Sequence, residues 1–310
     1  SSLKEWEQLT PLPFYSIGEP ELTKVVNKGG EEFFVLKVLV SNNSDYDGII
    51  QMNVLQNGWW YQPLEDPRAR KKVEIAAHTT KEFVSVWEEQ IREVEVNTMI
   101  SGNLPYMIRQ SIGNVKQERN KIVKDSIYTL PESSLEMPGE IIVDNEDSTL
   151  FVLSTPPVVG LLPKWLDEVE ETPFKYSGIS WWRAPLQWTA TTNAKYYGKY
   201  IRSAYVIKSG DGSQTATWKI PVPEAGQYEL YYYVFKNDEL RWNDRLQGEY
   251  HFRVAYDSEV EDAYINLRKA NEGWEQLGTY YFSADTVRVV LTDECKLRSV
   301  TADAVKIVKR

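Results

Sequence analysis

Short apolar runs separated by polar turn clusters recur along almost the whole sequence. The run EFFVLKVLV, Glu32 to Val40, stops at SNNSDYDG, and GIIQMNVLQNG follows as its predicted hairpin partner. KKVEIAA, KEFVSVW and EVEVNTMI are each about one strand long. Branched and aromatic residues favour strands, whereas Gly, Asn, Asp and Ser favour turns. The pattern therefore predicts an all-β protein.

A length of 310 residues indicates about two domains. The segment LPESSLEMPGE, residues 130–140, holds two prolines and a glycine, which is typical of a linker. We predict an immunoglobulin-like β-sandwich over residues 1–129, because its strands are short and regularly spaced. A second β-sandwich is predicted over residues 141–310, with an insertion at about 154–195. Within the insertion, LLPKWLDEVEE predicts a short amphipathic helix.

The segment QYELYYYVFK gives the clearest alternation in the chain. Period two places Tyr228, Leu230, Tyr232 and Val234 on one face and the residues between them on the other. The first set is expected to face a core. The second set ends at Phe235 and either is covered by the insertion or lines a concave ligand surface. By the same reasoning we predict three core rings: Trp218, Tyr228 and Trp274.

Charge and motif content exclude several classes of function. The formal net charge of −10 argues against nucleic acid and anionic membrane surfaces as partners. No stretch is long and apolar enough to span a membrane, and the single cysteine, Cys295, cannot form an internal disulfide. Metalloprotease, nucleophile-elbow and phosphate-loop motifs are missing, so we predict that the chain is not an enzyme. His78 and His251 are interpreted as structural or surface residues, and a glycosidase carboxylate pair cannot be recognised by spacing.

Two acidic features are candidates for a metal site. The segment VDNED presents Asp144 and Asp147 directly after a strand, and calcium prefers such oxygen ligands. The alternative is an acidic turn that caps the strand. Asp303 lies in the apolar run ADAVKIV, so it must be satisfied by a backbone donor, a basic side chain or a cation. No cofactor is expected apart from this calcium alternative.

The segment SGISWWRAPLQWTATTNAKYYGKY, residues 177–200, combines large rings with polar residues, as does NDELRWND, residues 237–244. Flat rings bind the apolar face of a sugar, and neighbouring polar groups bind its hydroxyls. In a sandwich the loops gather at the ends of the sheets, so these two segments can meet. The alternatives are that the rings fix the insertion onto the sheet, join the two domains or form a protein-binding surface. The candidate ligand-binding residues are Trp181, Trp182, Arg183, Trp188, Tyr196, Tyr197, Arg241 and Trp242.

Five segments occur in a characteristic order: IIVDNED, YYGKYIRSAYV, QTATWKIPVPEAGQYELYYYV, GWEQLGTYYF and TADAVKIV. Together they make residues 139–310 resemble the C-terminal domain of golvesin and xanthan lyase-type proteins. The resemblance implies a jelly roll similar to carbohydrate-binding modules, appended to secreted bacterial hydrolases and lyases. The long stretch from Ser154 to Lys195 departs from the family pattern, so the resemblance implies nothing about its role.

The first domain has a looser likeness of its own. IAAHTTKEFVSVWEEQIREVEVNTMISGNLP resembles immunoglobulin-like sandwiches appended to secreted peptidases. We therefore expect a non-catalytic accessory region of a larger secreted, periplasmic or cell-surface bacterial protein. Its expected partners are a glycan or polysaccharide and the catalytic domain of the parent chain. The alternative is a purely structural or protein-interaction tail without a small-molecule ligand.

Overall fold

The computed structural model describes residues 12–56, 66–119, 122–132, 135, 139–154, 175–180, 183–236 and 248–310. These residues form 22 β-strands and a single 3-10 turn, Pro67–Ala69, so the all-β prediction is confirmed. None of the helical structure in the described ranges is long and apolar enough to cross a membrane. The chain divides into two compact units. Residues up to 138 and Lys199–Arg202 form the first unit, and the remainder forms the second.

The described residues of the first unit form two β-sheets. Strand β3 is central to the larger sheet, whose order is β10-β6-β3-β2-β9 with β1 also paired to β3. Its pairs are antiparallel except for β2 with β9. The smaller sheet has the order β5-β4-β7-β8. The strands are β1 (Tyr15–Ile17), β2 (Glu21–Val26), β3 (Glu32–Asn42), β4 (Gly48–Leu55), β5 (Arg70–Ile75), β6 (Thr79–Trp87), β7 (Glu93–Asn97), β8 (Met107–Ser111), β9 (Val115–Arg119) and β10 (Ser126–Pro131).

One hydrophobic cluster draws on both sheets of the first unit. Leu36 and Val38 of β3 and Phe83 of β6 come from the larger sheet, and Ile50 and Val94 come from the smaller. All five side chains are at most 2% exposed. The alternating apolar residues of these strands therefore build a single core, as period-two side-chain placement requires.

In the second unit, the residues that the structure describes form three β-sheets. Their orders are β11-β22-β16-β19, β12-β15-β20-β17-β18 and β13-β14-β21. The strands are β11 (Glu140–Val143), β12 (Phe151–Ser154), β13 (Thr189–Thr192), β14 (Ser203–Lys208), β15 (Thr215–Pro221), β16 (Gly226–Val234), β17 (Glu249–Tyr256), β18 (Glu259–Asn266), β19 (Gly273–Phe282), β20 (Thr286–Thr292), β21 (Ser299–Ala302) and β22 (Val305–Lys309).

The alternation predicted for β16 is confirmed. Tyr228, Leu230, Tyr232 and Val234 are all buried in the core cluster of the second unit, which draws on all three sheets. Trp218 of β15 is fully buried in the same cluster, so the core predictions for Trp218 and Tyr228 are confirmed.

The core prediction for Trp274 is wrong, because this ring is only half-buried and lies outside the core cluster. Strands β16 and β19 change register between Leu230 and Tyr231, so Leu277 is an extra residue opposite the partner strand. An extra residue reverses which side chains face inward along the rest of a strand. Trp274 is therefore opposite Tyr233, on the outer side of the sheet.

The boundary segment and the insertion are described only in part. Strand β10 continues through Leu130 and Pro131, so strand pairing extends into the segment expected to be a linker. Residues 155–174, which include the expected helix, lie outside the described residues. The end of the insertion contains β13, which pairs with β14.

Candidate functional site

The rings of Tyr196 and Tyr197 lie against the outer side of β16. The ring centroid of Tyr196 is 4.8 Å from that of Phe235, and Tyr196 is fully buried. Tyr197 is half-buried, with centroid distances of 5.5 Å to Tyr233 and 5.0 Å to Trp274. This pair therefore covers the second face at Tyr233 and Phe235, in agreement with one of the alternatives left open by the sequence. The prediction that Tyr196 stacks on a ligand is corrected, because its ring has no accessible face.

Asp303 holds the segment of Tyr196 and Tyr197 in place. Both carboxylate oxygens of Asp303 accept from the backbone N–H of Tyr197 at 3.2 Å, and Asp303 itself is fully buried. The indole N–H of Trp218 donates to the Asp303 carbonyl oxygen at 3.2 Å. Burial, together with the nearby Asp303 carboxylate, holds the pKa of Tyr196 well above its usual value. Among the three expected partners for Asp303, the structure shows a backbone donor.

The acidic motif after β11 forms a hydrogen-bonded turn. The N–H of Asp147 donates to the Asp144 carbonyl at 3.1 Å, and the N–H of Asp144 donates to the Asp147 carboxylate at 2.8 Å. Within the described ranges, no group of three or more His, Cys, Asp or Glu side chains is arranged to hold a metal ion. The observed hydrogen bonds correspond to the acidic-turn alternative for Asp144 and Asp147.

Glu146, in the same turn, anchors the end of the insertion. Its carboxylate accepts from Tyr176 Oη at 3.0 Å and also from Lys175 Nζ and Ser203 Oγ. Burial favours the neutral form of Glu146, but the bonds from Lys175 and Ser203 outweigh it and lower the pKa of this carboxyl group. The motif is thus a fastening point between β11, the insertion and β14.

A cleft of about 420 Å³ lies at the end of β14. Three segments build it. The Lys208 N–H donates to the Pro185 carbonyl at 2.7 Å, and the Ser209 N–H donates to the Arg298 carbonyl at 3.0 Å. The Gln214 side-chain amide donates to the Leu186 carbonyl at 3.3 Å. The lining residues are Arg183, Ala184, Leu186, Lys208, Ser209, Leu297 and Arg298.

The chemical character of the cleft is basic with an apolar component. Arg183, Lys208 and Arg298 are exposed cations, whereas Leu297 is buried and supplies an apolar wall. A concave surface with apolar area and a few charged donors is the usual form of a small-molecule site. The cleft is therefore the candidate site of the second unit.

The structure places the remaining predicted residues as follows. Arg183 lines the cleft, and Trp188 is half-buried against the core cluster. Four predicted residues lie outside the described residues: Trp181, Trp182, Arg241 and Trp242. The sequence interpretation missed Lys208 and Arg298, whose segments meet only because β14 pairs with β21. That pairing joins distant parts of the chain and leaves no local signal in the sequence.

Comparison with known families gives a match that covers much of the second unit. Residues 182–309 match the model of the golvesin C-terminal domain. This part of the chain is similar to a golvesin C-terminal domain. The match begins one residue before Arg183 and includes every residue that lines the cleft. A search of the curated proteins returned no match.

Two solved structures show distant likeness. A Paenibacillus xanthan lyase has 17% sequence identity and a TM-score of 0.39, over 97% of this chain and 27% of the lyase. A Bacteroides uniformis beta-glucuronidase has 12% identity and a TM-score of 0.23, over 94% of this chain and 30% of that enzyme. The chain thus spans less than a third of the length of either protein. At these scores neither likeness establishes a shared function.

Proposed function

We propose that the chain is a non-catalytic accessory region of a larger bacterial protein, and that its golvesin C-terminal domain binds a glycan. The observation that carries the proposal is the cleft at the end of β14, where exposed cations adjoin an apolar wall. Sugars present apolar faces and many hydroxyl groups, so they suit a surface of this mixed kind. Arg183, Lys208 and Arg298 are the proposed hydrogen-bond donors.

We also propose that each unit is a β-sandwich, immunoglobulin-like in the first unit and a jelly roll in the second, with the domain boundary in residues 130–140. Support comes from the cores, because each cluster joins buried residues of more than one sheet. Two sheets that share one core are the defining feature of a sandwich.

A non-catalytic role is supported by the environment of three reactive side chains, two histidines and one cysteine. His78 contacts the carboxylates of Asp45 and Glu132, and His251 contacts Asp262 at 2.8 Å. In each contact the imidazole faces carboxylates, and neither contact pairs the histidine with a Ser, Thr or Cys nucleophile. Burial raises the pKa of the Cys295 thiol, which disfavours the reactive thiolate.

The proposed setting is a secreted, periplasmic or cell-surface protein in which this region accompanies a catalytic domain of the parent chain. The golvesin C-terminal domain match supports this setting. A region that holds the parent enzyme on a polysaccharide would raise the local concentration of substrate. Such a gain requires no catalytic group in the accessory region.

Affinity electrophoresis tests the proposal. The full chain is run through native gels that contain a series of soluble polysaccharides, beside Arg183→Ala and the control Arg253→Ala. Arg253 is exposed on β17 and lies outside the cleft lining, so it matches the change in charge. We expect at least one polysaccharide to retard the chain and the control, but to retard Arg183→Ala less. If no polysaccharide retards the chain, or if all three proteins are retarded equally relative to a gel without polysaccharide, glycan binding at the cleft is contradicted.

A second candidate function is a structural or protein-interaction tail. The burial of Tyr196 and the packing of Tyr197 on Trp274 favour it, because these rings stabilise the domain instead of facing solvent. This candidate predicts no retardation by any polysaccharide. It also predicts co-purification of the region with the catalytic domain of its parent chain.

A further inference from the structure

We infer that the ligand of the cleft is an acidic sugar, a glycan unit that bears one anionic group. The inference rests on the proposed glycan-binding function and adds the substrate class. It follows from the distribution of charge in and around the cleft.

Three cationic residues line the cleft although the whole chain has a formal net charge of −10. They come from separate segments: Arg183 precedes β13, Lys208 ends β14 and Arg298 precedes β21. Guanidinium groups donate forked pairs of hydrogen bonds that fit a carboxylate or a sulfate. A neutral sugar needs donors and acceptors alike, whereas arginine and lysine only donate. The lining therefore suits an anion better than a neutral hydroxyl cluster.

The surroundings of the cleft limit how many anionic groups the ligand carries. Gly210, next to Ser209 of the lining, forms an isolated β-bridge with Glu294, whose side chain is 63% exposed. Asp211 follows and is also exposed, and bonds with Ser213 lower the pKa of its carboxyl group. Both residues lie outside the cleft lining, in segments that adjoin Ser209, and their negative charge disfavours a ligand chain with an acidic group on every unit. A single acidic group on an otherwise neutral glycan meets the cations without this repulsion.

The size of the cleft is consistent with this ligand. Sites for small molecules usually enclose about 300–1,000 Å³, and the volume of about 420 Å³ lies at the lower end of that range. The Leu186 side chain is 72% exposed and borders the cleft, so it offers apolar area to the face of a sugar ring. The acidic group and one ring face would thus be recognised together.

Isothermal titration calorimetry on the full chain tests the inference with three matched probes. These are oligosaccharides that end in glucuronic acid, their carboxyl-reduced forms, which end in glucose, and the 6-O-sulfates of those reduced forms. We expect the anionic probes to bind about tenfold more tightly than the reduced form, as one charge-assisted hydrogen-bond pair would give. The ratio between the carboxylated and sulfated probes distinguishes the two sources of charge. Raising the salt concentration should weaken the anionic probes more than the reduced one.

Substitutions inside and outside the cleft test whether the acidic probes bind there. Arg183→Gln and Arg298→Gln should each weaken the anionic probes by roughly five- to tenfold, whereas Arg253→Gln, which removes the same charge outside the cleft, should not. If the reduced form binds as tightly as the acidic form, the inference is overturned while glycan binding stands. If neither form binds and no polysaccharide retards the chain, both fail. If polygalacturonate binds more tightly than the single-acid probe and Arg253→Gln weakens it equally, the attraction is general charge and the inference is overturned.

Discussion

His78 lies with its imidazole between two carboxylates in the first unit. Its Nδ1 is 2.7 Å from Glu132 Oε2, and its Nε2 is 2.8 Å from Asp45 Oδ1. Glu132 also accepts from the Asn43 amide at 2.9 Å, and its N–H donates to the His78 carbonyl at 3.1 Å. The contacts join the end of β10 to the turn that precedes β6. They form a small charged fastening where the last strand of the unit ends.

The charge of this fastening depends on pH. Hydrogen bonds with Asp45 and then Glu132 raise the pKa of His78 above 6.5, and bonds from Asn43 and then His78 lower the pKa of Glu132 below 4.5. A raised histidine pKa stabilises the folded state below about pH 6.5, and the stabilisation is lost as the pH rises through the folded pKa. The lowered pKa of Glu132 has the opposite effect. It stabilises the folded state at higher pH, and this stabilisation is lost as the pH falls through the folded pKa. The fastening is therefore strongest in mildly acidic solution, between about pH 4.5 and pH 6.5.

We predict that the melting temperature of the first unit exceeds that of His78→Asn at pH 6, and that the difference shrinks by pH 9. Asn is the suitable replacement because His78 has a φ of 51°, a left-handed conformation that Asn tolerates. An NMR titration of the His78 ring gives the folded pKa directly. A difference in melting temperature that stays constant from pH 6 to 9 would show that the ion pairs contribute nothing.

At the scale of elements, strand β11 is fastened to β22 by a buried ion pair. Lys306 Nζ lies 3.0 Å from Glu140 Oε1, and both side chains are about 10% exposed. The same ammonium is 4.7 Å from the ring centroid of Trp274 and 5.4 Å from that of Tyr231. Rings at these distances stabilise a cation by their negative faces. The half-buried ring of Trp274 therefore stabilises the positive charge of Lys306 on the outer side of the sheet.

A double-mutant cycle measures this pair. Lys306→Met leaves the Glu140 carboxylate in a buried site without its cation, so we expect a loss of about 3–5 kcal/mol in the free energy of unfolding. Adding Glu140→Gln removes that buried charge, and the double variant should be more stable than the sum of the single variants by about 1–3 kcal/mol. Urea denaturation gives all three values. Strict additivity would mean that solvent already screens the pair.

Strands β16 and β19 show which features of the fold can be predicted from the sequence and which cannot. Alternation placed Tyr228, Leu230 and Tyr232 in the core, because period two holds within one strand. It failed at Trp274, since the extra residue at Leu277 depends on the partner strand and has no local signature. The candidate site shows the same limit. Arg183 was found beside its aromatic neighbours, but Arg298 reaches the cleft only through the pairing of β14 with β21.

At the scale of the whole molecule, the two units have separate cores. The cluster around Leu36 and Phe83 belongs to the first unit, and the cluster around Trp218 and Tyr232 belongs to the second. Asp303 is buried in the second unit, where it holds the Tyr197 segment. Because cooperative unfolding follows a shared core, each unit is expected to unfold as its own transition.

We predict two unfolding transitions in differential scanning calorimetry of the full chain. Two variants, one in each unit, assign the transitions to the units. Asp303→Ala removes a buried charged acceptor, which costs about 2–4 kcal/mol, and should lower only the transition of the second unit. For a domain of ~150–250 residues this loss corresponds to roughly 5–15 °C. Asp303→Asn keeps an acceptor oxygen for the Tyr197 N–H and should lower the same transition less. His78→Asn should move only the other transition, so a single peak that both variants lower equally would refute independent unfolding of the units.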